Sequence, residues 1–301
     1  MSEISADPGS DRISVLRENR VVPLLSAPEH RRALQPWQGV LLEQHAVSAI
    51  EIPEHEHREL CLHLQTSGTE ALEWWSEGKH RVEHTAPGSM ILLPAGTRDR
   101  LRWHGTSERL ILSIRSDLMD RVAAESGAAT APEFKALWSL NDIPLQAVIT
   151  DMGRQAREGW PLGRLYADLT ATGLASLLLR RHAANPFAGS NIKGGLRTPQ
   201  LRQAMEFMTE NLDRDLSLEE IARQVSLSPF HFAREFRSTT GRTAYQYLLD
   251  QRIDRAKHLL KTRDWPVEEI APMTGFHSAV NFVRAFRQRV GQTPGVWRKS
   301  Q

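Results

Sequence analysis

Two periods of hydrophobic patterning divide this chain. Between residues 40 and 115 the apolar positions come in short or alternating runs broken by turn signals: AIEI, ELCLHL, ALEWWSEGKHRVEH, APGSMILLPAG and ERLILSI. A period near two with frequent turns predicts a small antiparallel β-barrel or sandwich. Glu77-Gly78 is placed to make a hairpin turn. From 116 to 182 the period becomes helical. Leu162, Leu165, Tyr166 and Leu169 fall at i, i+3, i+4 and i+7, and LASLLLRRHAA carries basic residues in its last turn. This stripe suits packing on the barrel or a dimer seam.

Apolar periodicity lapses in HAANPFAGSNIKGGLRTPQ, where Gly, Pro, Asn and Ser collect. That composition predicts a flexible linker, residues 183–199. Beyond it every pattern is helical. Thr198-Pro199 can open a helix whose Leu201, Ala204, Met205, Met208 and Leu212 form one stripe. Ser217-Leu-Glu-Glu220 has the form of a capping box, and a long helix is expected from about Thr243 to Lys261. The expected organisation is α+β and multidomain. Residues 1–182 form one domain, with a barrel at about 40–115 and helices at about 116–182. Residues 200–301 form an all-α domain.

Within the helical part the sequence repeats itself. Glu219-Glu220-Ile221-Ala222 returns as Glu268-Glu269-Ile270-Ala271. Ser228, Phe232, Arg234, Phe236 and Arg237 return as Ser278, Phe282, Arg284, Phe286 and Arg287, and Gly241 and Thr243 as Gly291 and Thr293. The offset grows from 49 to 50 between the helices, which puts one extra residue in the second copy's turn. Each copy is therefore helix, turn, helix. In the second helix of copy one, Ser228 is the N-cap and Pro229 the first helical residue. Phe232 and Phe236 face inward at i and i+4, so Phe230, Arg234 and Arg237 point away. Val280, Arg284 and Arg287 are the counterparts in copy two.

Charge strengthens this picture. The chain is near neutral at +2, but from Asn191 onward it holds 18 Lys and Arg against 12 Asp and Glu. Guanidinium groups on an exposed helix face can pair with guanine edges in a major groove or with phosphates. Two such units can enter successive groove segments about 34 Å apart. Double-stranded DNA is the expected partner. The single cysteine, Cys61, permits no internal disulfide. There is no run of eighteen apolar residues, and the polar, acidic start lacks the form of a secretory leader. The cytoplasm is the expected location, with no membrane partner.

On IARQVSLSPFHFAREFRSTTGRTAYQYLLDQRIDRAKHLL and EEIAPMTGFHSAVNFVRAFRQRVGQTPGVWRK, the last hundred residues resemble the DNA-binding domain of the AraC/XylS family of bacterial transcription regulators. The resemblance implies a tandem helix-turn-helix domain whose second helices contact bases. Transferred by position, the contacts fall on Phe230, Ala233 and Arg234, then on Ala279, Val280, Asn281 and Arg284. Arg237 and Arg287 are assigned to phosphates. Three departures stand out: Pro272 within a helix, Val280-Asn281 in place of Ser and an aromatic or His, and Trp297 in place of Tyr. Arg252 matches a frequent family arginine and is read as structural.

Such a tail usually follows a sensor domain, often cupin-like. His55-Glu-His57-Arg-Glu59 resembles the first cupin motif, and Gly88-Ser-Met-Ile-Leu-Leu-Pro94-Ala-Gly96 the second. Asp99 stands where metal-binding cupins place their last histidine. No metal and no cofactor are expected. If Leu60, Leu62 and Leu64 face a core, His55, His57, Glu59, Cys61 and His63 share the other face unless a bulge intervenes. Candidate ligand-binding residues are His55, His57, Glu59, Trp74, Arg98, Arg100 and Trp103. The expected function is DNA-binding transcription regulation, as an activator, by a barrel that senses a small molecule. RNA polymerase and a second copy of the chain are further expected partners. The alternative is a metal-dependent cupin enzyme, an oxygenase or isomerase, with an appended helical domain.

Overall fold

The computed structural model describes residues 12–26, 37–128, 130–185 and 195–301. Residues 186–194 of the expected linker lie outside that range. The chain divides into two units: residues 1–157 with Ala171–Ser190, and Glu158–Thr170 with Asn191–Gln301.

The first unit is built on two antiparallel sheets. One has the order β2 (Arg20–Pro23), β1 (Ser14–Arg17), β4 (Ile50–His57), β9 (Arg98–Trp103), β6 (Glu70–Ser76), β7 (Lys79–Thr85). The other runs β11 (Leu137–Leu140), β8 (Met90–Leu93), β5 (Leu60–Ser67), β10 (Ser107–Ile114), β3 (Val40–Val47). Val15, Ile52, Leu72, Leu101 and Trp103 of the first sheet pack with Cys61, Ile91, Leu93 and Ile111 of the second. The core between the sheets accounts for the period-two pattern. At the β6–β7 hairpin, Glu77 (φ 50°) and Gly78 (φ 71°) both take left-handed backbone, as the tightest two-residue turn requires.

Strand β5 is buried at every position from Leu60 to Gln65. Its odd-numbered residues face the inter-sheet core, while its even-numbered leucines turn to the sheet's other face. Three helices follow β10 before residue 183: α1 (Ser116–Glu125), α2 (Ile143–Arg157) and α3 (Gly163–His182). On neighbouring β10 that other face meets α2, where an added Cβ on Gly153 would stand 2.6 Å from Leu110. Both sides of the strand are thus covered, which explains its unbroken burial. Strands β1, β2 and β11, each four residues long, extend the barrel beyond the expected 40–115.

The second unit is helical. In chain order it contains α4 (Thr198–Glu210), α5 (Leu218–Gln224), α6 (Pro229–Thr240), α7 (Ala244–Thr262), α8 (Val267–Met273), α9 (Ala279–Val290) and α10 (Pro294–Lys299). The expected caps form: the Ser217 hydroxyl accepts from Glu220 N while the Glu220 carboxylate accepts from Ser217 N. The hydroxyls of Ser228, Thr243 and Ser278 likewise accept from the backbone N–H three residues on and cap α6, α7 and α9. Two aromatic cores result. Phe232 and Phe236 pack with Met208, Ile221 and Leu248, and Phe282 and Phe286 with Ile253, Ile270 and Phe276. Pro272 lies in the last turn of α8, which keeps the same seven residues as α5. Arg252 is buried and donates to the carbonyls of Leu212 and Arg214, which makes it a structural residue.

The apolar stripe at Leu162–Leu169 requires correction. Leu165 is buried in the first aromatic core, Leu169 packs against it, and Tyr166 meets Tyr245 edge to face with ring centroids 5.0 Å apart. The Asp168 carboxylate accepts from Leu218 N at the start of α5, and burial pushes its pKa up to about 6. Neither barrel packing nor a dimer seam accounts for this stripe, because its partners are the helices of the second unit.

Candidate functional site

Helices α6 and α9 are the candidate nucleic-acid surface. Each is twelve residues long, starts at a serine cap and ends at a left-handed glycine, Gly241 (φ 74°) or Gly291 (φ 85°). Each buries two phenylalanines on one face, with ring centroids 5.4 Å apart in α6 and 5.7 Å in α9. A third aromatic closes each set edge to face: Tyr247 against Phe236 and Trp297 against Phe286, both at 6.0 Å. Tyr247 and Trp297 each follow the threonine at the N-cap position, Thr243 or Thr293, by four residues, so the repeat extends into a third helix.

The inward faces fix the outward ones. On α6, Phe230 and Arg234 are half-buried, Arg237 is exposed, and Ala233 leans on the core. The Arg234 guanidinium lies 5.8 Å from the Phe230 ring centroid and donates to Glu235 Oε1 at 2.9 Å. Glu235 is buried, and its other carboxylate oxygen has no hydrogen-bond donor among the described residues. On α9, Val280, Arg284 and Arg287 are exposed around an open groove, Asn281 is half-buried, and Ala279 packs on the core. Arg284 is ion-paired with Glu158. All nine residues expected to meet DNA therefore sit on these two helices. The acidic partners Glu235 and Glu158 were missed, because an arginine's ion pair leaves no periodic signal.

The barrel interior is the second candidate site. A β-bulge in β4, between Ile52 and His55, inserts one residue against β9, so that Ile52 pairs with Leu101 but His55 pairs with Asp99. Ile52, His55 and His57 consequently all turn inward, and all are buried. His57 Nε2 lies 3.0 Å from Asp99 Oδ2, and His55 Nε2 lies 3.6 Å from Asp99 Oδ1. Burial lowers the pKa of His55, against the opposing pull of Asp99. His63 is fully enclosed, and burial followed by the nearby Arg109 charge holds its pKa well down. Arg109 itself is buried, bonds Glu70 and Gln65, and stands 4.9 Å from the centre of the Trp103 ring. Trp74 stacks on Trp138 at 4.4 Å.

A cleft of about 570 Å³ is lined by Trp74, Ser76, Lys79, Thr97, Lys135 and Trp138. It adjoins the histidines through the ladder: Ser76 pairs with Asp99, and His57 N donates to the Thr97 carbonyl. The structure thus gathers His55, His57, Trp74 and Trp103 in and around one interior. Glu59 lies elsewhere, with its carboxylate accepting from Ser116 N. Arg98 and Arg100 alternate outward on β9 and pair with Glu56 and Glu51. Asp99, the residue between them, faces in.

Comparison with known proteins matches both parts of the chain to family models. Residues 221–300 match a helix-turn-helix domain model, and residues 41–183 match the AraC-like ligand binding domain. The chain joins an AraC-like ligand-binding domain to an AraC-type helix-turn-helix domain. It is 24% identical to the XylDLEGF operon transcriptional activator 1 of Pseudomonas putida, over 78% of this chain and 74% of that one. It is 27% identical to the HTH-type transcriptional activator RhaR of Salmonella schwarzengrund, over 64% of this chain and 65% of that one. Among solved structures, the DNA-binding domain of the global transcriptional factor AdpA, in complex with a target DNA, is 34% identical over 34% of this chain and 91% of that one, with a TM-score of 0.33. No helix among the described residues is long and apolar enough to cross a membrane.

Proposed function

We propose that this AraC-family regulator binds promoter DNA through α6 and α9 and activates transcription when its barrel takes up a small molecule. The observation that carries the reading is the pair of matched helices, each held by two inward phenylalanines and each presenting arginines outward. Phe230, Ala233 and Arg234 read bases in one major-groove segment, and Ala279, Val280, Asn281 and Arg284 in the next. Arg237 and Arg287 bind phosphates and set the register. Residues 200–301 serve as the reading domain, residues 183–199 as linker, and the barrel with its helices as the sensor.

The effector site is the barrel interior with its cleft. Stacked Trp74 and Trp138 offer an apolar wall, and Lys79 and Lys135 outnumber the one carboxylate of the lining, Glu77, so a small acid with an apolar body fits it. RNA polymerase and a second copy of the chain complete the proposed assembly, in the cytoplasm. The protein acts by binding and not by catalysis, in keeping with relatives named as transcriptional activators.

The test is retention of sheared DNA from the source organism at two salt concentrations, followed by sequencing. The reading requires a few enriched sites that survive the higher salt. Uniform retention that collapses with salt, with and without candidate acids, would contradict it.

A further inference from the structure

The bulge in β4 has a chemical consequence inside the barrel. It brings His55 and His57 to the same carboxylate, that of Asp99, in a place where all three side chains are at most 2% exposed. One ligand atom from each residue lies within 4.8 Å of the other two. His55 Nδ1 is 2.9 Å from the Pro53 carbonyl oxygen. A carbonyl only accepts, so Nδ1 carries the ring hydrogen and the neutral ring has its lone pair on Nε2. That lone pair faces Asp99 Oδ1 at 3.6 Å, and neither atom has a hydrogen-bond donor among the described residues. Two acceptors confront one another with no hydrogen between them, an arrangement that burial makes costly.

A cation resolves the conflict. We propose that His55, His57 and Asp99 bind one divalent transition-metal ion in the barrel interior. Two imidazole nitrogens with one carboxylate oxygen favour zinc, iron, cobalt or nickel over magnesium and calcium, which take mainly oxygen. Ligand atoms about 2.0–2.2 Å from a tetrahedral metal lie about 3.4 Å from one another, and each histidine has one Asp99 oxygen near that spacing: His57 Nε2 is 3.0 Å from Oδ2, and His55 Nε2 is 3.6 Å from Oδ1. The Pro53 carbonyl orients His55 as outer partners of metal-bound histidines do. Glu59, whose carboxylate accepts from Ser116 N, has no part in the set. His63, with both ring nitrogens unpaired among the described residues, lines the same interior and leaves it polar. The proposal goes beyond the regulatory reading and does not depend on DNA binding.

The experiment uses the full-length chain without a histidine tag. Its metal content is measured by inductively coupled plasma mass spectrometry. The metal-stripped protein is then titrated with zinc and with cobalt(II), and its thermal midpoint is recorded with and without zinc. The expected result is about one ion per chain, a cobalt spectrum of nitrogen and oxygen ligation without a thiolate band, and a midpoint raised by zinc. Asp99→Asn and His55→Gln are expected to weaken the affinity at least about tenfold and to abolish the zinc-dependent rise. Should either variant misfold, the cobalt spectrum of the unaltered chain still decides. Absence of saturable binding by the unaltered chain overturns the proposal. So does a thiolate band from Cys61, or affinity unchanged in correctly folded variants.

Discussion

The two helix-turn-helix units share a scaffold and differ on their faces. Helices α5 and α8 have seven residues each, α6 and α9 twelve. The turns match at the level of backbone: Leu227 N donates to the Ala222 carbonyl as Phe276 N does to Ala271, around left-handed Ser226 (φ 55°) and Gly275 (φ 77°). Outward, the pairs Phe230 and Val280, and Arg223 and Pro272, have diverged, and the buried Glu235 of copy one has Ala285 as its counterpart. Packing dictates the inner residues, because each phenylalanine must fill a fixed space. The outer residues fill no such space, so packing leaves them free to differ. Two copies can therefore keep one fold while reading two different stretches of DNA.

The comparison is broken most severely at the cores. Phe236→Ala and Phe286→Ala occupy equivalent places and should each destabilise the helical unit by about 3–5 kcal/mol in urea unfolding. A large gap between them would mean that one copy does not hold the domain together. The turns should behave unequally. A Cβ on Gly275 would meet the Leu212 carbonyl oxygen at 2.0 Å and Arg252 Nε at 2.6 Å. Gly275→Ala should therefore cost at least about 2 kcal/mol, whereas Ser226→Ala, at a position already bearing a side chain, should cost under about 1 kcal/mol. Equal losses in the same unfolding assay would refute the close approach.

The smallest effect concerns the extra residue of copy two, His277, which pairs with Asp215 at 3.5 Å. The hydrogen bond to Asp215 raises its pKa from the usual 6.5, against the opposing effect of burial. A raised histidine stabilises fully below its unfolded value, and the contribution fades as pH climbs through the folded value. His277→Ala should thus lower the thermal midpoint at about pH 5.5 more than at about pH 8.5, by an amount that solvent screening keeps under about 1 kcal/mol. A loss independent of pH would assign His277 a packing role.

Much of this was legible in the chain itself. The repeat, the serine and threonine caps and the inward phenylalanines follow from spacing alone, since helix faces and cap chemistry are local. The inter-sheet barrel followed from period two, but β1, β2 and β11 were missed because four residues carry no readable alternation. The bulge before His55 was equally silent; parity without it would have turned the histidines away from the core. Arg98 and Arg100 were chosen for their chemistry, although alternation on β9 sends them outward and Asp99 inward. The partner of the Leu165 stripe and the pairing of Arg284 with Glu158, 126 positions away, belong to tertiary structure.

The central claim is that α6 and α9 read separate half-sites, and selection from randomised duplex DNA tests it most directly. The unaltered chain, Arg234→Ala and Arg284→Ala would be selected in parallel and their bound sequences compared. Two short motifs about one helical turn apart are predicted, with each variant erasing preference in a different motif at a loss of about 1–3 kcal/mol. A single motif, or preferences that neither substitution alters, would contradict the account.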